Sequence, residues 1–126
     1  INLINKNERL LVDGCHSEES ARNLCDYLKN LNLPIYGILG MKKNKLPERF
    51  IKVFRNSFKK IITVKIPGEP ASMESKRLKK ICESQNFKTE TAENIVHAIK
   101  KISDKKNKVI VIFGSLYLVG AALSKN

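Results

Sequence analysis

Apolar residues occur along this chain in two kinds of segment: short continuous runs, and longer stretches in which every third or fourth residue is apolar. The continuous runs are each followed by a glycine or a proline, which is typical of buried strands that end in a turn. They predict strands at residues 10–13, 35–39, 60–66 and 109–113. Two weaker candidates are residues 1–4, as a short edge strand, and residues 86–89.

The periodic stretches predict helices between these strands. The first begins at Glu18, the second near Pro47, and the last spans residues 116–123. Candidate N-caps are Ser17 for the first helix, Ser72 for the third, and Thr89 or Thr91 for the fourth. The predicted buried faces of the first four helices are Ala21, Leu24, Cys25, Leu28 and Leu31; Leu46, Phe50, Val53 and Phe54; Leu78, Ile81 and Cys82; and Ala92, Ile95, Val96, Ile99 and Ile102.

Strands and helices therefore alternate along the chain, which is the α/β pattern. Right-handed crossover connections through a helix let each strand run parallel to the one before it. This alternation therefore predicts a mostly parallel sheet of about six strands. The run at 109–113 is apolar throughout, as expected of a central strand that is covered on both faces. We find no internal repeat and no low-complexity segment.

The chain of 126 residues is long enough for one domain with its own core. It begins with Ile1 and holds no segment that could span a membrane, so we interpret it as a fragment cut near a domain boundary. Residues 1–9 would be a linker remnant or edge strand, and residues 10–126 the domain. The three cysteines form no CxxC pair, which favours reduced, buried thiols in the cytoplasm over a zinc site.

The formal net charge of +12 admits a nucleic-acid partner as an alternative. Residues 42–60 carry eight basic side chains against one acidic side chain, Glu48. Aromatic residues are scarce, however, and they are not interleaved with the basic ones as they are on a base-stacking surface. Nucleic acid is therefore the less favoured partner.

Candidate site residues follow three of the predicted strands. Asp13, Gly14 and His16 follow the strand at 10–13, residues 40–45 follow the strand at 35–39, and Gly114 and Ser115 follow the strand at 109–113. Parallel strands bring such loops to one edge of the sheet, where α/β proteins bind ligands. Structural interpretations remain open: Asp13 can cap its turn, Ser115 can cap a helix, and His16 can be a surface residue. Neither GxGxxG nor GxxxxGK[ST] occurs in the chain.

These same loops resemble the motifs of a known family. Leu10–Leu11–Val12–Asp13–Gly14–Cys15–His16–Ser17 resembles the Asp-Gly-Ala-His-Asn-Pro signature of the C-terminal domain of folylpolyglutamate synthase and dihydrofolate synthase, in the Mur ligase superfamily. Residues 38–45 resemble that family's Gly-x-x-x-Asp-Lys-Asp loop. Residues 114–120, Gly-Ser-Leu-Tyr-Leu-Val-Gly, resemble its closing motif almost residue for residue.

The resemblance implies a Rossmann-like, three-layer domain of an ATP-dependent ligase that adds L-glutamate to dihydropteroate or a folate. It implies that ATP and Mg²⁺ are bound mainly by a central domain absent from this chain, and that this fragment alone is inactive. Asp13, His16 and Ser17 would line the site for nucleotide or glutamate, Ser115 would bind the amino acid, Lys45 would meet a carboxylate or phosphate, and Tyr117 would serve packing. No residue is expected to be catalytic or to bind a metal.

The chain departs from the family motifs at several positions. Ser17 and Glu18 replace an asparagine and a proline, and Asn44 and Leu46 replace the two acidic residues of the loop. The alternatives that remain open are the equivalent domain of a Mur peptidoglycan ligase, a diverged basic module that binds nucleic acid, and an inactive Rossmann-like domain.

Overall fold

The computed structural model describes residues 2–123, and the side chains of residues 4–123. Six strands form one sheet, in the spatial order β1-β2-β6-β3-β4-β5. The strands are β1 (Asn2–Leu3), β2 (Glu8–Asp13), β3 (Ile35–Leu39), β4 (Lys60–Thr63), β5 (Thr89–Thr91) and β6 (Lys108–Phe113). Only β1 pairs antiparallel among the described strands. The predicted α/β fold with a mostly parallel sheet is confirmed.

Five helices cover the two faces of this sheet: α1 (Glu18–Lys29), α2 (Pro47–Lys52), α3 (Ser75–Ser84), α4 (Ile95–Ile102) and α5 (Leu116–Leu123). Alternate residues of β6 point to opposite faces. Val109, Val111 and Phe113 pack with α1, α2 and α3 in one core cluster. Ile110 and Ile112 pack with α4 and α5 in the other. The molecule therefore has three layers, with β6 at its centre.

The helix starts agree with the sequence in part. Ser17 caps α1: its hydroxyl accepts a hydrogen bond from the Ser20 amide, and Ser20 bonds back to the Ser17 amide. Pro47 is the first residue of α2. The predicted caps of the next two helices are wrong, because Glu74 precedes α3 and the side chain of Asn94 caps α4.

Ser72 has a different structural role. Its buried hydroxyl accepts a hydrogen bond from the Ile66 amide at 2.9 Å and donates one to the carbonyl of Met73 at 3.1 Å. These bonds fold the β4–α3 loop back on itself. Serine in such a loop satisfies backbone groups just as it does at a helix cap, so its residue type alone could not distinguish the two.

Several predicted boundaries and faces shift. The strand expected from residue 10 begins at Glu8, the strand expected to reach residue 66 ends at Thr63, and β5 lies slightly later than expected. Leu46 and Val96, both assigned to buried faces, are 63% and 45% exposed. Leu46 precedes the first turn of α2, and Val96 lies next to the core-facing Ile95, so neither reaches the sheet.

The extension of β2 to Glu8 brings a charged pair into the amino edge of the sheet. Glu8 is the register partner of Lys108, and the Lys108 Nζ donates to Glu8 Oε2 at 3.0 Å. Asn5 and Ser103 also donate to the Glu8 carboxylate, each at 2.6 Å, as does the Asp104 amide at 3.1 Å. This set of residues is called the amino-edge network below.

The order of connections creates crevices at the carboxyl edge. The loops after β2 and β3 lead to α1 and α2 on one face, whereas the loop after β6, which lies between them, leads to α5 on the other. Adjacent loops that leave in opposite directions open a gap outside the strand ends, and ligands bind there in α/β folds. The three candidate motifs occupy these loops.

Candidate functional site

A cavity of about 90 Å³ lies in this gap and is lined by all three candidate loops. His16 comes from the β2–α1 loop, Lys42 and Lys45 from the β3–α2 loop, and Ser115 and Tyr117 from the start of α5. Larger clefts exist elsewhere, including one of about 610 Å³ between α1 and α2 and one of about 630 Å³ beside the β4–α3 loop. Neither contains a predicted site residue, so we place the candidate site in the smaller cavity.

Ser115 is held at the bottom of the loop after β6 and is only 4% exposed. Its hydroxyl accepts hydrogen bonds from the amides of Tyr117, at 3.1 Å, and Leu118, at 3.4 Å, so it caps α5. A hydroxyl that accepts two bonds still has its own proton to donate. Ser115 can therefore cap the helix and donate a hydrogen bond to an anion in the cavity at the same time.

Gly114 shapes the turn that positions Ser115. Its φ of +103° lies in a region that residues with a side chain rarely adopt. A Cβ at this position would lie 2.5 Å from the carbonyl oxygen of Gly40. Glycine at 114 thus lets the loops after β6 and β3 approach each other closely, which closes one wall of the cavity.

The β3–α2 loop supplies the lysines. It is anchored to the β4–α3 loop, because the Lys43 amide donates to the Ala71 carbonyl and the Met73 amide donates to the Met41 carbonyl, both at 2.8 Å. Lys42 and Lys45 are half-buried, while Lys43 is exposed and lies outside the cavity lining. The Lys42 ammonium lies 4.9 Å from the centre of the Tyr117 ring.

Asp13 and Ser17 do not line the cavity. Asp13 Oδ1 accepts a hydrogen bond from the Cys15 amide at 2.9 Å, which stabilises the turn after β2. Ser17 is exposed and uses its hydroxyl in the α1 cap. The structure thus brings together three of the five predicted site residues, His16, Lys45 and Ser115, and leaves Asp13 and Ser17 on either side of His16 in the sequence.

The turn after β2 also buries a thiol. Burial raises the pKa of Cys15 to about 12, and the neighbouring Asp13 carboxylate adds to that shift. Cys15 is therefore a neutral thiol at physiological pH and packs as a small apolar residue.

The cavity is positively charged. Lys42 and Lys45 line it, whereas no carboxylate does, and within residues 4–123 neither lysine makes an ion pair with an acidic side chain. Lysine, a serine hydroxyl and an imidazole all donate to oxygen anions. Across the described residues, no three His, Cys, Asp or Glu side chains are grouped to hold a metal ion. The arrangement suits a carboxylate or a phosphate.

Sequence reasoning placed Lys42 within the candidate loop 40–45 without giving it a role. Tyr117 was expected to serve packing, but it is 58% exposed and lies at the cavity. Lys42 and Tyr117 lie in loops that are far apart in the sequence, so no spacing pattern could predict their contact. A lysine two residues after Gly40 and an aromatic residue two residues after Ser115 were the available signals.

None of the helices in the described part of the chain is long and apolar enough to cross a membrane. Among the curated proteins, no sequence matches this chain. A profile of the family described as "Dihydrofolate synthetase, C-terminal domain" matches residues 1–125.

Solved structures share the fold. Mycobacterium tuberculosis folylpolyglutamate synthase, complexed with ADP and AMPPCP, is 20% identical, with a TM-score of 0.82 over 92% of this chain and 29% of its own. Escherichia coli FolC, in complex with ADP, is 15% identical, with a TM-score of 0.83 over 98% of this chain and 30% of its own. Thermotoga maritima folylpolyglutamate synthase is 25% identical, with a TM-score of 0.74 over 89% of this chain and 26% of its own.

The chain thus spans less than a third of the length of these enzymes. The order of its three motifs, their convergence on one cavity and the family match agree with one another. The match covers nearly the whole chain and favours the folate branch over the Mur ligases. This chain belongs to the family of dihydrofolate synthetase C-terminal domains.

Proposed function

We propose that this domain forms part of an ATP-dependent ligase that adds L-glutamate to dihydropteroate or a folate, and that it closes over the reaction site. One observation carries the proposal: His16, Lys45 and Ser115, from three separate motifs, line one positively charged cavity at the carboxyl edge of the sheet. Such a ligase must hold anionic substrates, since ATP and glutamate both carry negative charge, and it must align an amine with an activated acid.

The roles proposed for the site residues follow from their positions. Ser115 donates a hydrogen bond to a carboxylate of glutamate or to a phosphate of ATP, and Lys45 supplies positive charge to the same group. His16 donates to it from the β2–α1 loop. Asp13 and Ser17 act beside the cavity: Asp13 holds the turn that carries His16, and both remain candidate contacts for nucleotide or glutamate once another domain approaches.

The cavity residues suit the phosphate groups of ATP but do not suit Mg²⁺. That ion takes oxygen ligands, mostly carboxylates and water, and the cavity offers ammonium and imidazole groups instead. We therefore place the magnesium site and most of the ATP site on a central domain outside this chain. Residues 10–126 would belong to the C-terminal domain, and the stretch before residue 10 would be its edge strand rather than a linker, because β1 and the start of β2 lie in the sheet.

Exposed apolar side chains beside the cavity support closure onto such a domain. Leu116 is 65% exposed and Tyr117 58% exposed, and both line the cavity, while the exposed Leu46 directly follows Lys45. Contiguous apolar side chains at a polar site often mark a surface that another domain covers. Covering them would exclude water, which would otherwise hydrolyse an activated acid.

The cytoplasmic location stays a prediction. Cys15, Cys25 and Cys82 are all free and buried within the described residues, as expected of a protein from a reducing compartment.

The test is glutamate ligation by the full-length protein that carries this domain, with ATP, Mg²⁺, labelled L-glutamate, and either dihydropteroate or tetrahydrofolate. Ser115→Ala and His16→Ala should each lower kcat/KM about tenfold or more, as expected when a charge-assisted hydrogen bond is lost. His97→Ala is the matched control, because His97 lies on α4 outside the cavity lining and its ring Nδ1 accepts a hydrogen bond from the Glu93 amide.

The acceptor that supports ligation identifies the substrate. Unchanged kinetics in Ser115→Ala and His16→Ala, or an equal loss in His97→Ala, would contradict the proposed site. A folded protein that binds ATP but ligates glutamate to neither acceptor would contradict the proposed activity.

A further inference from the structure

Lys42 lines the cavity and lies in the candidate loop 40–45, but it has no role in the site proposed above. It is half-buried, its ammonium lies 4.9 Å from the centre of the Tyr117 ring, and both side chains line the cavity with Lys45 and Ser115. A cation over an aromatic face is attracted by the ring electrons. The contact therefore holds Lys42 against α5, instead of leaving a flexible lysine in solvent.

The backbone around Lys42 is fixed as well. Lys42 forms an isolated antiparallel bridge with Ser72, and the hydrogen bonds of Met41 and Lys43 to the β4–α3 loop lie on either side of it. Ser72 is buried and hydrogen-bonded on both sides. Ligand binding costs less conformational entropy when the backbone and the side chain of the charged residue are already held in place.

This held charge has no acidic partner among the described side chains. The polar side chains that line the cavity with it include a second lysine, a histidine and a serine, all of which can donate hydrogen bonds. Two ammonium groups that share one small cavity repel each other, so an anion between them relieves that repulsion in addition to its own contacts.

The cavity is small, at about 90 Å³ against about 610 Å³ for the cleft between α1 and α2. It is nevertheless several times the ~10–15 Å³ that a cavity needs to hold one water molecule. It therefore has room for a carboxylate or one phosphate group. The cavity therefore accommodates the charged end of a larger ligand.

We propose that Lys42, positioned by the Tyr117 ring, is a binding and specificity-determining residue of this cavity and holds one carboxylate or phosphate group together with Lys45 and Ser115. This inference rests on the proposed function for the identity of the ligand, but not for the binding itself. The ligand bridges the β3–α2 loop and the start of α5, and so ties together the two faces of the sheet.

The test titrates the 126-residue chain with L-glutamate and, separately, with inorganic phosphate, followed by NMR shifts of the Ser115 and Tyr117 amides. Lys42→Gln should weaken binding of the preferred anion about five- to tenfold, and Lys43→Gln, one residue away but exposed and outside the cavity, should not. Tyr117→Leu should weaken binding of the same anion about two- to fivefold, while Tyr117→Phe, which keeps the ring, should leave that binding unchanged.

The two probes distinguish the source of the anion. Stronger binding of glutamate assigns the cavity to the amino acid, and stronger binding of phosphate assigns it to the nucleotide. Either result supports the inference if Lys42→Gln weakens binding of that anion. The inference is overturned if the wild-type chain binds neither probe, or if Lys42→Gln and Lys43→Gln behave alike.

The full-length protein provides a second readout. Lys42→Gln should raise the KM for glutamate or for ATP about fivefold or more while kcat changes little, because a contact made equally in ground and transition states is lost. Lys42-dependent anion binding by a protein that performs no ligation would reject the proposed function and keep this inference. If Lys42→Gln ligates glutamate normally with an unchanged KM, the proposed function would be kept and this inference rejected.

Discussion

The amino-edge network makes a quantitative prediction about stability. Lys108 and Glu8 are 2% and 0% exposed, and their side chains are joined by a 3.0 Å hydrogen bond. Lys108→Met keeps a long side chain but removes the charge. The Glu8 carboxylate would then remain buried, with its bonds from Asn5, Ser103 and the Asp104 amide but without a cation.

The expected loss is about 3 kcal/mol in the free energy of unfolding. Removing one member of a buried ion pair costs about 3–5 kcal/mol, and the three hydrogen bonds that remain on Glu8 place this case at the low end. A chain of 126 residues unfolds with an entropy of about 0.26 kcal/mol/K, at about 2.1 cal/mol/K per residue. Lys108→Met should therefore lower Tm by about 11 °C.

Urea unfolding followed by circular dichroism measures this loss. Asp104→Asn is the control: Asp104 also pairs with Lys108, but its side chain is 49% exposed, so this variant should lose much less stability than Lys108→Met. The double variant Glu8→Leu with Lys108→Met should be more stable than Lys108→Met alone, since it leaves no unpaired buried charge. A loss below about 1 kcal/mol in Lys108→Met would refute the reasoning.

The same network sets a pH dependence. Burial alone would raise the pKa of Glu8, but the hydrogen bonds from Ser103, Asn5 and Lys108 outweigh it and lower the pKa from 4.5 to about 2. A depressed pKa in the folded state stabilises the protein fully above pH 4.5, and this contribution is lost as pH falls towards 2. The acid-induced loss of stability should be smaller in Lys108→Met, which lacks one of these donors.

Three further predictions concern the carboxyl edge. Gly114→Ala should lower the free energy of unfolding in urea by about 1–3 kcal/mol, because the φ of Gly114 is +103° and a Cβ there would meet a backbone oxygen. Gly120→Ala is the control: Gly120 lies in α5 with open space around it, so this variant should be neutral or stabilising. Ser17→Ala should cost about 1 kcal/mol through loss of the α1 cap, and an unchanged urea midpoint would contradict this. Cys15 should resist alkylation at pH 8 in the native protein, as followed by mass spectrometry, and Asp13→Asn should lower its pKa of about 12.

The local pattern of the chain was sufficient for the fold class and for the prediction that three candidate loops lie at one edge of the sheet. Ile35–Leu39 and the apolar run of β6 were recognised as strands because burial on both faces requires continuous apolar residues. Ser17 was recognised as a cap because the residue type and the following helix period are both local signals. Parallel strands then bring His16, Lys45 and Ser115 to one edge wherever the helices lie.

Contacts between distant residues were decided only by the tertiary structure. Glu8 falls in the stretch predicted to be a linker remnant or edge strand, yet it lies buried at the start of β2, where Lys108, 100 residues away, is its register partner. Leu46 reads as part of a helix face but lies outside the first turn of α2. Periodicity reports which side of its own element a residue occupies, and carries no information about which polar group of another element will meet it.

The cavity itself shows the same division. The sequence determined that three loops with ligand-binding residue types share one sheet edge, because the order of strands and helices fixes the direction of each strand. Only the folded chain decided that Lys42 rests on Tyr117 and that Asp13 stabilises its own turn and does not line the cavity. The physical reason is that side-chain partners depend on distances between loops, and those distances are set by how the helices pack on the two faces of the sheet.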